Sequence, residues 1–279
     1  MIITKTISQI RAEIKKSSGK KIALVPTMGA LHEGHLVLVK KAANLAEIVV
    51  VSIFVNKTQF NDLSDYQNYP KQIKRDLQLL KKSGATHVFL PQNSEIFGQN
   101  FSFKLIPTNL VDCLCGKSRL GHFDGVSLIV AKLFNIIKPN LAVFGQKDFQ
   151  QVVVIKKLVK DLNFDIKIHT QKTVRNKSGL AMSSRNQRLS ETSKIKAANI
   201  FKFLNEIKSE VKKNPQNLTE ILQKKRQKFL EIGFEKVDYL EIRQEKNLEL
   251  LKSFDEKISS RIFIAAYLEK VRLIDNIKL

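Results

Sequence analysis

"LVPTMGALHEGHLVLVKKA", residues 24–42, starts as an apolar run, breaks at Pro26 and Gly29, and resumes as a helical pattern from His35. A buried strand that passes through a glycine turn into a helix is the unit from which parallel sheets are wound. The same alternation repeats around it. "KIALVPT" (21–27), "EIVVVSIFVN" (47–56), "THVFLP" (86–91), "LAVFGQ" (141–146) and "DIKIHTQKTV" (165–174) read as strands. "HLVLVKKAANLA" (35–46) reads as a helix with Leu36, Val39, Ala43 and Ala46 on its apolar face. "YPKQIKRDLQLLKKSG" (69–84), with Pro70 at its start and Gly84 past its end, "VSLIVAKLFNIIKP" (126–139) and "FQQVVVIKKLVKDLN" (149–163) are further helices.

This rhythm predicts an α/β fold, a Rossmann-like, doubly wound parallel sheet with helices on both faces. Near residue 175 the pattern changes. Two long lysine-rich helical segments (190–213 and 218–233) precede strand-like "VDYLEIRQ" (237–244) and "RIFIAAYLEKVRLIDNI" (261–277). The expected division is therefore 1–174 and 175–279, the second a smaller α+β domain. "FSFKLIP" (101–107) is a candidate edge strand.

Composition limits the function classes. With 43% hydrophobic residues in 279, the chain can bury a sizeable core. It has no run of eighteen uncharged apolar residues, and its first twenty-one residues lack the apolar core of a secretory signal, so a cytoplasmic protein without membrane contact is expected. Cys113 and Cys115 are too close to bridge easily and too few to hold zinc alone, and read as free thiols. The net charge of +22 is spread along the chain, and the phenylalanines are not interleaved with arginine as stacking platforms would be. A basic surface that draws small anions fits better than a nucleic-acid partner.

His32 and His35 lie three apart at the start of a helix, where free N–H groups and the helix dipole favour anions. Gly29 permits an unusual backbone angle, and Gly34 lets a flat ring or phosphate approach the chain. Two imidazoles there can donate to phosphate oxygens as charge develops. Taken alone, H-x-G-H could also be a metal pair, but His87, His122 and His169 complete no evident zinc set. Downstream, "GLAMSSRN" (179–186) offers two hydroxyls and an arginine after a glycine, suited to triphosphate oxygens.

The first motif resembles the H-x-G-H signature of the nucleotidyltransferase superfamily, and "GLAMSSRN" resembles its late phosphate-binding loop. Over nearly its full length the chain is similar to the pantoate–β-alanine ligase family. The likeness rests on "PTMGALHEGHL", "VSIFVNKTQF", "DYQNYPKQIKRDL", "SRLGHFDGV", "FGQKDFQQ", "TVRNKSGLAMSSRN" and the terminal "RLIDNI". Lys57 and Leu120 depart from it, standing where the family usually has proline.

The resemblance implies that (R)-pantoate attacks the α-phosphorus of ATP, giving pantoyl adenylate and pyrophosphate. The amine of β-alanine then displaces AMP. It implies ATP contacts from Met28, Gly29, Ala30, Leu31, His32, Glu33, Gly34 and His35, with His35 as proton donor and His32 along the phosphates. Further ATP contacts are implied at Gly145, Gln146, Lys147, Asp148, Val174, Met182, Ser183, Ser184 and Arg185, with Lys147 also catalytic. Gln59 and Gln151 match substrate-binding amides, Asp76 matches an acidic position that helps hold magnesium, and Arg119 falls near ligand or partner subunit. A homodimer and a lid role for the second domain are also implied. An adenylyltransferase for nicotinate mononucleotide would share H-x-G-H without needing both glutamines or "FGQKDFQQ", and an RNA binder would need a basic stripe with stacking aromatics.

Overall fold

The β-branched runs form strands, as side chains that pack well on a pleated surface should. The computed structural model describes residues 1–279. In chain order its elements are β1 (Ile2–Thr4), α1 (Ile7–Lys16), β2 (Ile22–Thr27), α2 (Glu33–Ala43), β3 (Ile48–Ile53), α3 (Leu63–Gln67), α4 (Ile73–Lys81), β4 (His87–Phe89), α5 (Asn93–Ile96) and α6 (Leu114–Ser118). Then come α7 (His122–Ile137), β5 (Leu141–Gly145), α8 (Phe149–Asp161), β6 (Lys167–Gln171), α9 (Glu191–Lys213), α10 (Leu218–Glu231), β7 (Lys236–Gln244), β8 (Ser260–Leu268) and β9 (Val271–Lys278). No helix is long and apolar enough to cross a membrane.

The chain divides into two compact units. The first comprises Met1–Asn109, Arg119–Gln146 and Val154–Lys172, and the second Leu110–Ser118, Lys147–Val153 and Thr173–Leu279. The sequence reading placed a boundary near Val174 and foresaw neither of the two excursions.

In the first unit six strands form one parallel sheet in the order β1-β4-β3-β2-β5-β6. From β2 the chain winds outward through β3 to β4, then returns to the other side of β2 for β5 and β6. In such sheets the crevice beside that reversal, at the carboxyl ends of the strands, is where ligands bind. Ala23, Val25, Val49, Val51 and Val143 pack with Leu38, Val39 and Ala42 of α2 and Leu80 of α4. Because successive strand residues face opposite ways, Leu24, Val50 and Ala142, also fully buried, point to the other face. Helices α1 and α7 pack on each other.

In the second unit β7, β8 and β9 form an antiparallel sheet with β8 in the middle. Val237, Ile242, Ile262, Ile264, Ala266 and Leu273 pack against Ile200, Leu204 and Ile207 of α9 and Phe229 of α10.

Four readings change. The segment 261–277 is a hairpin, turned by Glu269 and Lys270 at φ +49° and +60°. Two-residue hairpin turns want left-handed residues, and without glycine or asparagine this one left no mark in the sequence. Residues 101–107 pair with no strand, and Phe103 and Ile106 lie exposed. The buried side of α2 is Leu38, Val39 and Ala42 rather than the stripe through Ala43, because the helix starts at Glu33 and ends at Ala43, which is exposed. Finally, α7 begins four residues before Val126, where Gly121 at φ +76° turns the chain into it. Lys57 opens a 3-10 turn, Lys57–Gln59, a first helical position that proline would also fit, and Leu120 is exposed.

Candidate active site

β2 delivers the chain to a turn in which Gly29 and Ala30 are both left-handed, at φ +81° and +51°. Alanine seldom adopts that angle, so something must hold it there. Asp76, in the first turn of α4 and fully buried, does so. Its carboxylate accepts from the N–H of Ala30 at 2.9 Å and of Leu31 at 2.8 Å. A Cβ on Gly29 would stand 3.0 Å from Asp76 Oδ2 and from Ile53 Cγ2, so glycine meets a steric need as well as a conformational one.

The turn presents His32 as the residue capping α2 and His35 in its first turn, both half-buried. Their rings lie 4.1 Å apart, and the N–H of His32 donates to His35 Nδ1 at 3.4 Å. With Nδ1 accepting, a neutral His35 carries its proton on Nε2. Glu33 is exposed and lies 3.8 Å from Lys40, a weak surface pair.

The expectation that Asp76 helps hold magnesium does not fit this geometry. Both of its oxygens accept backbone N–H bonds in a site closed to solvent. No group of three or more His, Cys, Asp or Glu side chains that could hold a metal occurs elsewhere.

Gln59 ends the 3-10 turn that follows β3, next to the first motif. Its Nε2 donates to Met28 Sδ at 2.9 Å, and its Oε1 accepts from Asn56 Nδ2 at 3.2 Å. Its backbone carbonyl accepts from His122 Nδ1 at 2.7 Å and from Arg119 Nη2 at 3.2 Å. Arg119 Nη1 also lies 3.1 Å from His122 Nε2; arginine can only donate, so His122 is held with its proton on Nδ1. Gly125 seats α7 against the same turn, since a Cβ there would lie 2.7 Å from Gln59 N and closer still to the Thr58 carbonyl. Arg119, His122 and Gly125 thus fix Gln59, a role that the sequence assigns to none of the three: His122 stands out there only as a histidine outside any zinc set, and Arg119 only as a residue near ligand or partner.

At the end of β5 a Cβ on Gly145 would meet no protein atom within 4 Å, and φ there is not positive, so neither packing nor strain demands glycine. Gln146 follows and donates to Thr170 Oγ1 of β6 at 3.2 Å.

The second unit holds the other expected residues. Lys147 Nζ is 3.9 Å from Asp148 Oδ1, a loose pair beside a half-exposed carboxylate. Of the adjacent glutamines in α8, Gln150 is buried and engaged with backbone: it accepts from Cys115 N–H at 2.9 Å and donates to the carbonyls of Leu110 and Cys113 at 2.8 and 2.9 Å. Half-buried Gln151 is left as the ligand candidate. The Met182 N–H donates to the Val174 carbonyl at 2.9 Å, closing a loop whose tip is pinned by Asn176. Ser183 caps the 3-10 turn Ser184–Arg188, accepting from Arg185 N–H at 3.3 Å, and Ser184 is buried. Cys113 and Cys115 are free and buried, and burial pushes the Cys113 thiol up to about 11.

A parallel sheet whose central strand ends at a histidine-bearing helix start, the place where such sheets take anionic ligands, has the architecture of the nucleotide-binding α/β class. The Pantoate-beta-alanine ligase family model matches residues 2–278. Pantothenate synthetase of Caldicellulosiruptor bescii is 40% identical over 279 residues, covering 99% of this chain and 98% of the relative. That of Thermosipho africanus is 43% identical over 270 residues, covering 97% and 96%. The crystal structure of pantothenate synthetase from Thermus thermophilus superposes with a TM-score of 0.92 at 34% identity, covering 100% of this chain and 99% of that one. Pantoate-beta-alanine ligase from Francisella tularensis, complexed with beta-gamma ATP and beta-alanine, gives 0.84 at 38% identity, covering 100% and 97%. The chain belongs to the pantoate–β-alanine ligase family.

Proposed function

We propose that the chain condenses (R)-pantoate with β-alanine at the expense of ATP, through pantoyl adenylate. A pantoate carboxylate oxygen bonds to the α-phosphorus as pyrophosphate leaves. The β-alanine nitrogen then bonds to the acyl carbon, loses a proton, and AMP departs. The observation that carries this reading is the Asp76-pinned turn: it aims the start of α2 and the His32–His35 pair outward from the carboxyl end of β2. Full-length membership of the family supports it.

In this reading Met28–His35 and Gly145–Asp148 bind ATP, with the bare face of Gly145 allowing close approach. His35 donates through Nε2 to the departing pyrophosphate, and His32 lies along the phosphates. Lys147 carries a positive charge to the reacting carboxylate and phosphate. Val174 meets adenine, and Met182–Arg185 bind the triphosphate. Gln59 and Gln151 supply neutral donors and acceptors for pantoate and then β-alanine. Magnesium would enter with ATP and neutralise phosphate charge there, rather than be held by Asp76. The chain works as a cytoplasmic homodimer, for which exposed Phe103, Ile106 and Leu120 of the first unit are candidate contacts.

The experiment is turnover of purified His35→Ala and Lys147→Ala. Each is expected to lose roughly 10²–10³ in kcat with unchanged circular dichroism. Parent activity in either variant removes that residue from the mechanism.

A further inference from the structure

The terminal motif "RLIDNI" is one of the segments that carry the likeness, yet none of its residues has a part in the chemistry above. In β9 it places two buried polar side chains, Asp275 and Asn276, in succession. Neighbours on a strand face opposite ways, so the pair reaches both sides of the three-stranded sheet.

On the side of α9, Asp275 takes Arg175 with both oxygens, at 2.5 and 2.9 Å. The same guanidinium lies over the Phe201 ring, 3.9 Å from its centroid, and donates to the Gly179 carbonyl at 3.1 Å. Arg175 and Gly179 belong to the loop that leads from Val174 to Met182–Arg185, and Arg175 bridges to Ala181 within it. A charged, bidentate and largely buried pair is the strongest polar tie available to such a loop.

On the opposite side, the side-chain amide of Asn276 donates to the carbonyl of Lys147 at 2.8 Å. The direction is set by Arg261, which donates to Asn276 Oδ1 at 2.7 Å and so leaves the amide NH2 for Lys147. Arg261 is itself held by Glu245 at 2.7 Å and stacks on Phe149 at 4.1 Å. Two loops more than twenty-five residues apart are thus tied to consecutive residues of one strand.

We propose that Asp275 and Asn276 are positioning residues: Asn276 fixes the backbone from which Lys147 projects, and Asp275 fixes the 174–185 loop. The proposal rests on the site reading above. It assigns different kinetic signatures to the neighbours: Lys147, although among the ATP contacts, carries its charge chiefly to the groups that react, while the loop grips the triphosphate before reaction. Asn276→Asp keeps the acceptor for Arg261 but turns an oxygen toward the Lys147 carbonyl. It should lower kcat ~10- to 100-fold and change the KM for ATP by no more than about twofold, as displacement of a catalytic group does. Asp275→Asn keeps shape but loses the charge on Arg175, and should raise the KM for ATP about tenfold with a smaller effect on kcat. If Asp275→Asn is too unstable to assay, Arg175→Lys, which can neither span both oxygens nor stack flat, carries the same expectation.

Lys147→Ala and Arg185→Ala separate the two levels. If these impair the enzyme while Asn276→Asp and Asp275→Asn, folded by circular dichroism, lose only melting temperature, the proposal falls and the site reading stands. If Lys147→Ala and Arg185→Ala also keep parent kinetics, both fall.

Discussion

Asp76 shows how a side chain can be decisive and still look ordinary. In "IKRDL" it sits among charged neighbours and reads as a solvated helix carboxylate, and only the fold brings it against the N–H groups of Ala30 and Leu31. Removing it leaves two buried donors unpaired beside a left-handed alanine. Asp76→Ala should therefore cost several kcal/mol, at about 1–3 kcal/mol for each orphaned donor, with turnover falling as the turn relaxes. Asp76→Asn, which keeps one acceptor, should retain more of both, and the magnesium concentration for half-maximal rate should stay put. A large rise in that concentration would restore the carboxylate as a metal ligand. By contrast, the position of His32 and His35 at the start of a helix is legible directly, because a strand, a glycine turn and a helical pattern follow one another there. Cys113 gives a pH prediction. Its thiol pKa is raised to about 11 by burial, so the folded state holds that proton more tightly than the unfolded chain. Its share of stability is complete below about pH 9 and declines as pH climbs toward 11. Alkaline melting curves of Cys113→Ala should be flatter over that window than those of the parent, and parallel curves would refute the assignment.

At the scale of elements, long apolar runs were readable and short or unpunctuated features were not. β1, with three residues, is too brief for any periodicity, and the β8–β9 turn lacks the glycine or asparagine that announces a hairpin. Glu269 is more than a turn residue, since its carboxylate accepts from both the N–H and the hydroxyl of Ser190 at the start of α9. Lys270, at φ +60°, is the replaceable partner. Lys270→Gly should stabilise the protein by about 1 kcal/mol, the usual penalty for a non-glycine left-handed residue. A lower melting temperature would show that the lysine contributes more than its backbone costs. The seating of α7 on the 57–59 turn makes the opposite case. Gly125→Ala must push that turn away, so the KM for pantoate should rise about tenfold or more through Gln59. An unchanged KM in a folded variant would separate α7 from substrate binding. The glycine was present in "SRLGHFDGV", but nothing local says what backbone it will meet.

For the whole molecule, the parallel sheet follows from alternating strands and helices, while its strand order has no counterpart in the sequence pattern; the longest segment of the second unit is Thr173–Leu279. The transfer of 110–118 and 147–153 to that unit was not legible, because it depends on what covers the second face of the β7–β9 sheet. Cys115 meets Tyr239 at 3.1 Å, Phe149 meets Phe263 at 6.0 Å, and Asn276 meets Lys147 there. A net charge of +22 says only that anions are welcome. The most direct measurement is AMP and pantothenate formation by the purified protein with ATP and magnesium, omitting each organic substrate in turn. AMP should accumulate one-for-one with pantothenate and stop within a single turnover when β-alanine is absent. Steady AMP release without pantoate, or at the same rate with β-alanine replaced by any amine, would contradict the account.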